Sequence, residues 1–408
     1  MTTSNIASAA HAAGPVEAAA RGRGEPAWLV DVRAEAARAF AATPMPTPAL
    51  RPWKYTDLAG FSIEGFAPDA GFAPKVTAVV PTGGYAGSIA GALNDATLAP
   101  VVEAALGSVV TPTEGKFIAA NAAQWTGGVL VRAPRGKAFE SPVNIEVTGT
   151  TGAIFPRILV VAEPRSEVTL IVRNRSGEAP LLVSGVIEVI AEEESHVRIL
   201  LDGGWGAATQ EFTTVRSRVG KNADVQLASL ALGGRLLKQH LEALVEGEGA
   251  NSLIRGVALG DADQHFDFVT LQDHIGPKST SDVEIKSALA GASRSIYYGV
   301  TRVEPSAGGA AANQRNRNLL LSEHAKADSD PVLEILTSDV IRCGHGATVG
   351  PVDSDALFYI QSRGIDYRGA LQLLIGGFFA TVLDDPAYEA LAEEMHTRVE
   401  QKLAVAAL

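Results

Sequence analysis

The sequence predicts a mainly β protein whose core is a β-helix, with helical regions before and after it. About a dozen short segments rich in Val, Ile and Thr follow one another at even spacing, from Val129–Arg132 to Ile296–Val303, and no long helix interrupts them. Only Asp202-Gly203 is typical of a two-residue hairpin loop, whereas β-sandwiches and propellers need many such loops. A sandwich and a propeller stay as alternatives, and the scarcity of hairpins favours stacked turns of a β-helix.

The first 124 residues have a different texture. Residues 1–25 are rich in Ala, Gly and Ser without a signal-peptide pattern, which predicts a disordered leader. Residues 26–124 are expected to be mostly helical, beginning with an amphipathic helix over Ala27–Phe40. Four prolines between Pro44 and Pro52 then require an extended connection, and Ala-rich and Leu-rich stretches predict further helices within Ala86–Gln124.

The β-helix core is expected over residues 125–350, and a helical domain over residues 351–408. Asp353 or Ser354 can cap a first C-terminal helix, and Asp366 can cap a second that runs to Leu383. Pro386 is a suitable first residue for a third helix.

Composition excludes several classes of function. With 46% hydrophobic and 20% charged residues, the 408-residue chain has ample material for a buried core. Its net charge of −12 argues against nucleic acids and anionic membrane surfaces as partners. Its apolar runs are shorter than the roughly 20 residues that span a bilayer, so a cytoplasmic protein is expected.

Cys343 is the single cysteine, so no disulfide can form within the chain and a site made only of cysteines cannot be completed. Cys343 and His345 are two residues apart, and on a strand they would point to one side and could hold a soft metal ion together. A structural cysteine beside a turn formed by Gly344 and Gly346 is the alternative.

Two other motifs are weaker. The string Thr113-Glu114-Gly115-Lys116-Phe117 lacks the first glycine and the final Ser or Thr of a phosphate-binding loop, so nucleotide chemistry is expected from a partner. A second set alternates along one strand and could supply metal ligands, although a solvated strand face explains it more simply. Its members are Asp261, Asp263, His265 and Asp267, with His274 nearby.

The C-terminal half contains four strings in this order: Gln314-x-Asn316-Arg317-Asn318-Leu319-Leu320-Leu321-Ser322, Asp330-Pro331-x-Leu333-Glu334-Ile335, Cys343-Gly344-His345-Gly346-Ala347-Thr348-Val349-Gly350, and Ser362-Arg363-Gly364-Ile365. On these strings the chain resembles the SufB/SufD family of iron-sulfur cluster assembly scaffold proteins. A weaker match is Trp53-Lys54-Tyr55-Thr56-Asp57-Leu58 near the N-terminus. One departure is Gly344, where the family usually has Ser.

The resemblance implies a right-handed parallel β-helix and a subunit of the SufBCD complex that is not itself an enzyme. The single cysteine makes the SufD branch a better match than SufB. The implied partners are a SufB homologue, paired through the ends of the two β-helices, and a SufC ATPase homologue on the C-terminal helices. No tightly bound cofactor is implied, although iron or a cluster could pass through the SufB interface.

The resemblance also assigns residues. The matching histidine is implicated in cluster formation, so His345 takes that role and Cys343 is carried over as an interface thiol. We expect an outward patch on the C-terminal helices to bind the ATPase, made of Leu371, Leu374, Phe378, Phe379 and Tyr388. Two alternatives are a SufB-like homodimeric scaffold and a β-helix enzyme that acts on polysaccharides through carboxylates such as Asp261, Asp263 and Asp267.

Overall fold

The computed structural model describes residues 3–406, with side chains described from residue 13 onward. The α-helices are α1 (Thr3–Gly22), α2 (Ala27–Ala42), α3 (Ile89–Leu93), α4 (Ala99–Ala105), α5 (Gly115–Gln124), α6 (Ser354–Gln361), α7 (Tyr367–Leu383) and α8 (Ala392–Val405). Short 3-10 helices cover Arg51–Trp53, Ile63–Gly65 and Pro386–Leu391.

The strands before the middle of the chain are β1 (Lys75–Thr77), β2 (Tyr85–Ser88), β3 (Gly128–Ala133), β4 (Val143–Gly149), β5 (Gly152–Ile154), β6 (Arg157–Ala162), β7 (Glu167–Ser176), β8 (Leu181–Ala191), β9 (His196–Gly204) and β10 (Thr209–Val219). The later strands are β11 (Asp224–Ala231), β12 (Leu236–Val245), β13 (Asn251–Gly260), β14 (His265–His274), β15 (Thr280–Leu289), β16 (Arg294–Val303), β17 (Ala310–Leu320), β18 (Lys326–Ile335) and β19 (Val340–Pro351).

These strands form a β-solenoid, which confirms the predicted fold class. From β8 onward each strand pairs in parallel with the strand two positions later, so even-numbered strands build one sheet and odd-numbered strands the other. Without β1, β2 and the short β5, each sheet has eight strands, which gives about eight coils. The chain therefore passes between two facing sheets by short turns, without hairpins.

The turns share a repeated backbone conformation that the amino-acid composition does not predict. On one side of the solenoid, seven of the eight turns, all except the turn between β18 and β19, contain one residue with a positive φ, and successive members lie 27 to 31 residues apart: Gly136, Arg165, Glu194, Asn222, Gly249, Lys278 and Gly309. A non-glycine residue in this conformation costs about 1–2 kcal/mol. Backbone bonds to the next coil help to offset the cost, as where the Glu194 amide donates to the Lys221 carbonyl at 2.9 Å.

Inward-facing side chains stack in columns along the solenoid. One column runs through Val143, Leu170, Ile199, Leu227, Ile254 and Val283, all buried and all paired in register. Each such side chain contributes about 1.5–3 kcal/mol of burial free energy, so these aliphatic stacks hold the coils together.

The two ends of the solenoid differ. At the N-terminal end, β1 and β2 pair antiparallel with β4 and β3, so the first coil is covered. At the C-terminal end, β18 and β19 are the last strands of their sheets within residues 3–406. Large apolar side chains are exposed there, including Ile341 at 75% and Leu336 at 55%. The C-terminal end is therefore open.

The N-terminal region is more ordered than the sequence predicts. Most of the expected disordered leader forms helix α1, which packs on α2 through Ala13 and Ala34. Alanine has the highest helix propensity, and small side chains allow two helices to approach closely, so an Ala-rich segment can order without large apolar residues. Helix α2 confirms the amphipathic helix, and α3, α4 and α5 lie within the predicted stretch.

Helices α7 and α8 lie against the odd-numbered sheet. Phe379, Tyr388 and Met395 are buried in one cluster with strand residues such as Leu230. Ion pairs surround this contact, including Arg255 with Asp385 at 2.7 Å and Lys402 with Asp261 at 2.9 Å. Helix α6 has no buried residue, so it projects from the solenoid.

Candidate functional site at the open end

Cys343 and His345 lie on β19, the last strand of the odd-numbered sheet, and point to the same side of it. Their register partners on β17 are Ala312 and Gln314, whose buried side chains face the solenoid interior. Cys343 is half-buried beside the small apolar cluster of Val303, Ala307 and Ala310, whereas His345 is exposed. Both side chains therefore belong to the inner face of the open end.

In the column of stacked side chains that ends at His345, the residues of the last coils are polar and no longer aliphatic. Val283 is followed in register by Gln314 and then by His345. The same change occurs one column away, where Val225 is followed by Ser252, Ser281, Ala312 and Cys343. The aliphatic interior of the solenoid thus gives way to polar and small side chains beneath the candidate site.

Four buried or half-buried polar side chains form what we call the polar layer: Gln314, Asn316, Asn318 and Ser329. Gln314 accepts a hydrogen bond from the Tyr297 hydroxyl at 2.9 Å and donates to the Val332 carbonyl at 2.8 Å. Asn318 donates to Asn316 Oδ1 at 2.6 Å and to the Thr348 carbonyl at 3.3 Å. The polar layer therefore bonds to the backbones of both β18 and β19 and braces the terminal coil from inside.

Sequence reasoning missed the polar layer, although the signal was visible. Gln314, Asn316 and Asn318 alternate with Arg315 and Arg317, so the amides share one face of β17 and the guanidinium groups share the other. Three buried amides on one strand face predict an internal hydrogen-bond network, because unpaired buried amides are costly.

The environment keeps Cys343 protonated in the isolated chain. Burial raises the pKa of the Cys343 thiol, against a smaller opposing effect of a backbone hydrogen bond from Ala312. A metal must therefore displace a proton to bind this sulfur. No cluster of three His, Cys, Asp or Glu side chains suited to a metal occurs among the described residues, and the role of Cys343 and His345 as metal donors stays a prediction.

The alternating acidic set does not converge on one site. Asp261 pairs with Lys402, and Asp267 pairs with the buried Lys238 at 2.6 Å. His265 lies 2.9 Å from the Thr56 hydroxyl, and its burial lowers its pKa to about 4. His274 faces the interior, where both ring nitrogens contact serine hydroxyls. Asp263 lies in the exposed turn before β14. His265 and Asp267 both contact Thr56 and so hold the N-terminal segment, while Asp261 holds α8 through Lys402.

The Thr113–Phe117 string lies where a loop enters α5, but its lysine is occupied. Lys116 Nζ donates to the Phe40 carbonyl at 2.8 Å and to Glu64 at 3.2 Å. These contacts are consistent with the expectation that this loop does not bind a nucleotide.

The residues expected to bind an ATPase divide into two groups. Leu371, Phe379 and Tyr388 are buried, Phe379 and Tyr388 in a cluster with strand residues, so all three are core residues and cannot form an outward patch. The reason is that α7 is apolar on several faces and uses this one for docking. Leu374 and Phe378 are half-buried, and the exposed large apolar residues from α6 through α7 are Phe358, Tyr359, Ile365, Tyr367 and Leu373, with Val405 exposed on α8.

Comparisons with known proteins agree on one family. The sequence profile of "SUF system FeS cluster assembly, SufBD core domain" matches residues 145–378. An iron-sulfur cluster assembly SufBD family protein of Mycobacterium tuberculosis is 28% identical over 310 residues, which cover 74% of this chain and 77% of the relative. One from Mycobacterium leprae is 28% identical over 309 residues, with 74% and 78% covered.

The iron-sulfur cluster assembly protein SufB of Bacillus subtilis is 27% identical over 277 residues, which cover 66% of this chain and 59% of the relative. Relatives named for the whole family and for SufB thus match at similar identity. Separately, within residues 3–406 no helix combines the length and the apolar character that a membrane crossing requires.

Proposed function

Because the chain belongs to the SufBD family of SUF-system iron-sulfur cluster assembly proteins, we propose that it is the SufD-like scaffold subunit of a SufBCD complex. It pairs through its open end with a SufB homologue and carries a SufC ATPase homologue on its C-terminal helices. The observation that supports this proposal best is the asymmetry of the solenoid. One end is covered, and the other is open and presents Cys343 and His345.

The open end has the properties of a pairing surface. Strands at the edge of a sheet carry unpaired backbone groups that are completed by another chain. The last coil also exposes Ile335, Leu336, Ile341 and Val349. Covering these side chains removes apolar surface from water, which favours association at this end.

At the paired interface, Cys343 and His345 contribute a thiolate and an imidazole to cluster assembly. Two donors cannot complete an iron-sulfur cluster, which is usually held by four ligands, so the SufB homologue supplies the others. The iron and sulfide are cargo that passes through this site. The role of the chain is to position the two donors on a rigid strand.

The proposed binding surface for the SufC homologue consists of exposed residues of α6 and α7. Phe358 is 73% exposed on α6 beside the exposed Tyr359, and Tyr367 and Leu373 are exposed on the first half of α7. Exposed large apolar residues grouped in this way mark an interaction site. α7 docks on the solenoid and leaves this surface free for the SufC homologue.

A SufB-like homodimeric scaffold is the second candidate, favoured by the similarity to a protein named SufB. A symmetric dimer of this chain offers only two thiolates and two imidazoles at its interface. That set differs from the all-cysteine ligation that most clusters have, so it would require His ligation from both copies.

The proposal is tested by coexpressing the tagged chain with SufB and SufC homologues and measuring assembly, iron and sulfide. The expected product contains all three chains and assembles clusters. His345→Ala is expected to keep the complex and lose most of the iron and sulfide. His196→Ala, which changes an exposed histidine in an early coil, is the matched control. Normal iron and sulfide in His345→Ala would refute the role of His345, and a pure homodimer under coexpression would favour the second candidate.

A further inference from the structure

The outer face of the terminal coil carries a second feature, which we call the basic groove. Its floor is a strip without side chains, formed by Gly344 and Gly346 of β19. These glycines lie in register with Asn313 and Arg315 of β17. Arg315, Arg317 and Arg342 border it. The space measures about 490 Å³ beside Arg342 and about 300 Å³ beside Arg317. Cys343 and His345 also line these spaces, although the register places their side chains on the other face of β19.

Most charges around the groove are paired within the chain. Asp282 pairs with Arg255 at 2.7 Å and with Arg315 at 3.1 Å. Glu284 lies 3.5 Å from Arg315 and 3.9 Å from Lys286. These pairs consume both carboxylates that β15 presents to the groove.

Arg317 and Arg342 are left over. Both are exposed, and neither makes an ion pair in the part of the chain that the structure describes. The local excess of positive charge also acts on Lys286, whose pKa is lowered by burial first and further by Arg317 and Arg315, against Glu284. A chain with a net charge of −12 thus presents two unneutralised guanidinium groups at its open end.

The glycines of the strip are not required by the fold of this chain. A Cβ at Gly346 would meet no atom within 4 Å, and one at Gly344 would meet only Asn313 Oδ1 at 3.4 Å. Neither residue has a positive φ. The room that they leave is therefore available to a group from outside the chain, which can approach the backbone of β19 closely.

We propose that the basic groove binds an extended acidic segment of the subunit that pairs with β19. The strip from Arg342 to Thr348 is about 20 Å long at strand spacing, which accommodates about six extended residues. Arginine forms paired hydrogen bonds with carboxylates, so alternate Asp or Glu side chains of the segment can meet the guanidinium groups. The inference that the partner is a SufB homologue rests on the proposed function. The inference that the ligand is acidic rests only on the residues of the groove.

Binding is measured by fluorescence anisotropy of a labelled hexa-aspartate peptide added to the isolated full-length chain. The peptide is expected to bind in about 20 mM NaCl and to weaken strongly at about 300 mM. The double variant Arg317→Glu, Arg342→Glu is expected to lose at least about tenfold in affinity. Arg135→Glu, at an exposed arginine of the first coil, is the control and is expected to bind like the wild type.

The other outcomes separate the groove, its ligand and the proposed function. No binding to the wild type, or equal losses in the double variant and the control, would remove the groove as an acidic-peptide site. Displacement of the peptide by inorganic phosphate at equal charge concentration would reassign it to small anions. An unchanged affinity of the double variant for the SufB homologue would show that the segment is not from that partner. A wild type that binds the peptide but never pairs would count against the proposed function alone.

Discussion

Replacing Gln314 by leucine distinguishes two explanations of the terminal coil. Leucine occupies the same column at Leu170 and Leu227, so a coil that needed only packing would accept it and gain apolar burial of about 1 kcal/mol. The hydrogen bonds of Gln314 predict instead that the variant is less stable than the wild type. The variant leaves the Val332 carbonyl without its donor and the Tyr297 hydroxyl with Thr270 as its remaining partner. An unpaired buried group costs about 1–3 kcal/mol, so after the apolar gain of about 1 kcal/mol we expect a net loss of up to about 2 kcal/mol.

Hydrogen exchange followed by mass spectrometry is the suitable assay, because a long solenoid does not unfold in one step and the loss should be local. Peptides that cover β18 and β19 are expected to exchange faster in the variant, while those that cover β6 to β10 are unchanged. Ile254→Leu is the control in the same column, with an expected cost below about 1.5 kcal/mol. Slower exchange of β18 and β19 in Gln314→Leu would refute the polar layer as the brace of this coil.

Three further changes have defined outcomes. Glu188→Gln is expected to destabilise the coils around β6 and β8 by about 3–5 kcal/mol, because the buried carboxylate pairs with Arg157 and accepts from the amide of Gly107 at 2.9 Å; unchanged hydrogen exchange in peptides that cover β6 and β8 would contradict this. The pKa of His274 is lowered by burial to about 4, below the ordinary value of 6.5, so its contribution is present above pH 6.5 and is lost as pH falls toward 4. Wild type is expected to lose about 2 kcal/mol between pH 7.5 and 5 through this residue, and His274→Gln should lose that much less. Phe379→Ala should cost about 3–5 kcal/mol of helix docking, while Leu373→Ala should leave stability within about 0.5 kcal/mol and weaken ATPase copurification; the reverse pattern would refute the proposed binding surface.

Much of the architecture could be predicted from local sequence patterns, such as helix caps and the composition of strands. Asp353 and Asp366 were expected to cap helices, and their carboxylates accept from the first backbone amides of α6 and α7. The strands were recognisable because half-buried and buried strands are rich in β-branched residues. The coil repeat was harder, since its left-handed turn position is filled by residues as different as Arg165, Glu194 and Asn222. The conformation there is set by bonds to the neighbouring coil, which a single segment does not encode.

The sequence alone did not predict which face of the C-terminal helices packs on the solenoid. The apolar residues of α7 are spread around the helix, so the sequence indicated two faces without showing which one docks. Partners of the docked face lie more than a hundred residues away, such as Arg255 with Asp385. Long-range ion pairs of this kind depend on which strands neighbour one another. For that reason Leu371, Phe379 and Tyr388 were assigned to the wrong face.

The candidate site combines both kinds of information. The two-residue spacing of Cys343 and His345 was enough to place them on one side of a strand, because side chains alternate with a period of two. It could not decide whether that side is the interior, since a register shift of one residue exchanges the faces. The register of β19 on β17 decides it, and the same register turns Gly344 and Gly346 outward over Arg315. One strand thus presents a thiol and an imidazole on its inner face, and on its outer face two glycines bordered by arginines. A partner that pairs with the edge of β19 is positioned to contact both.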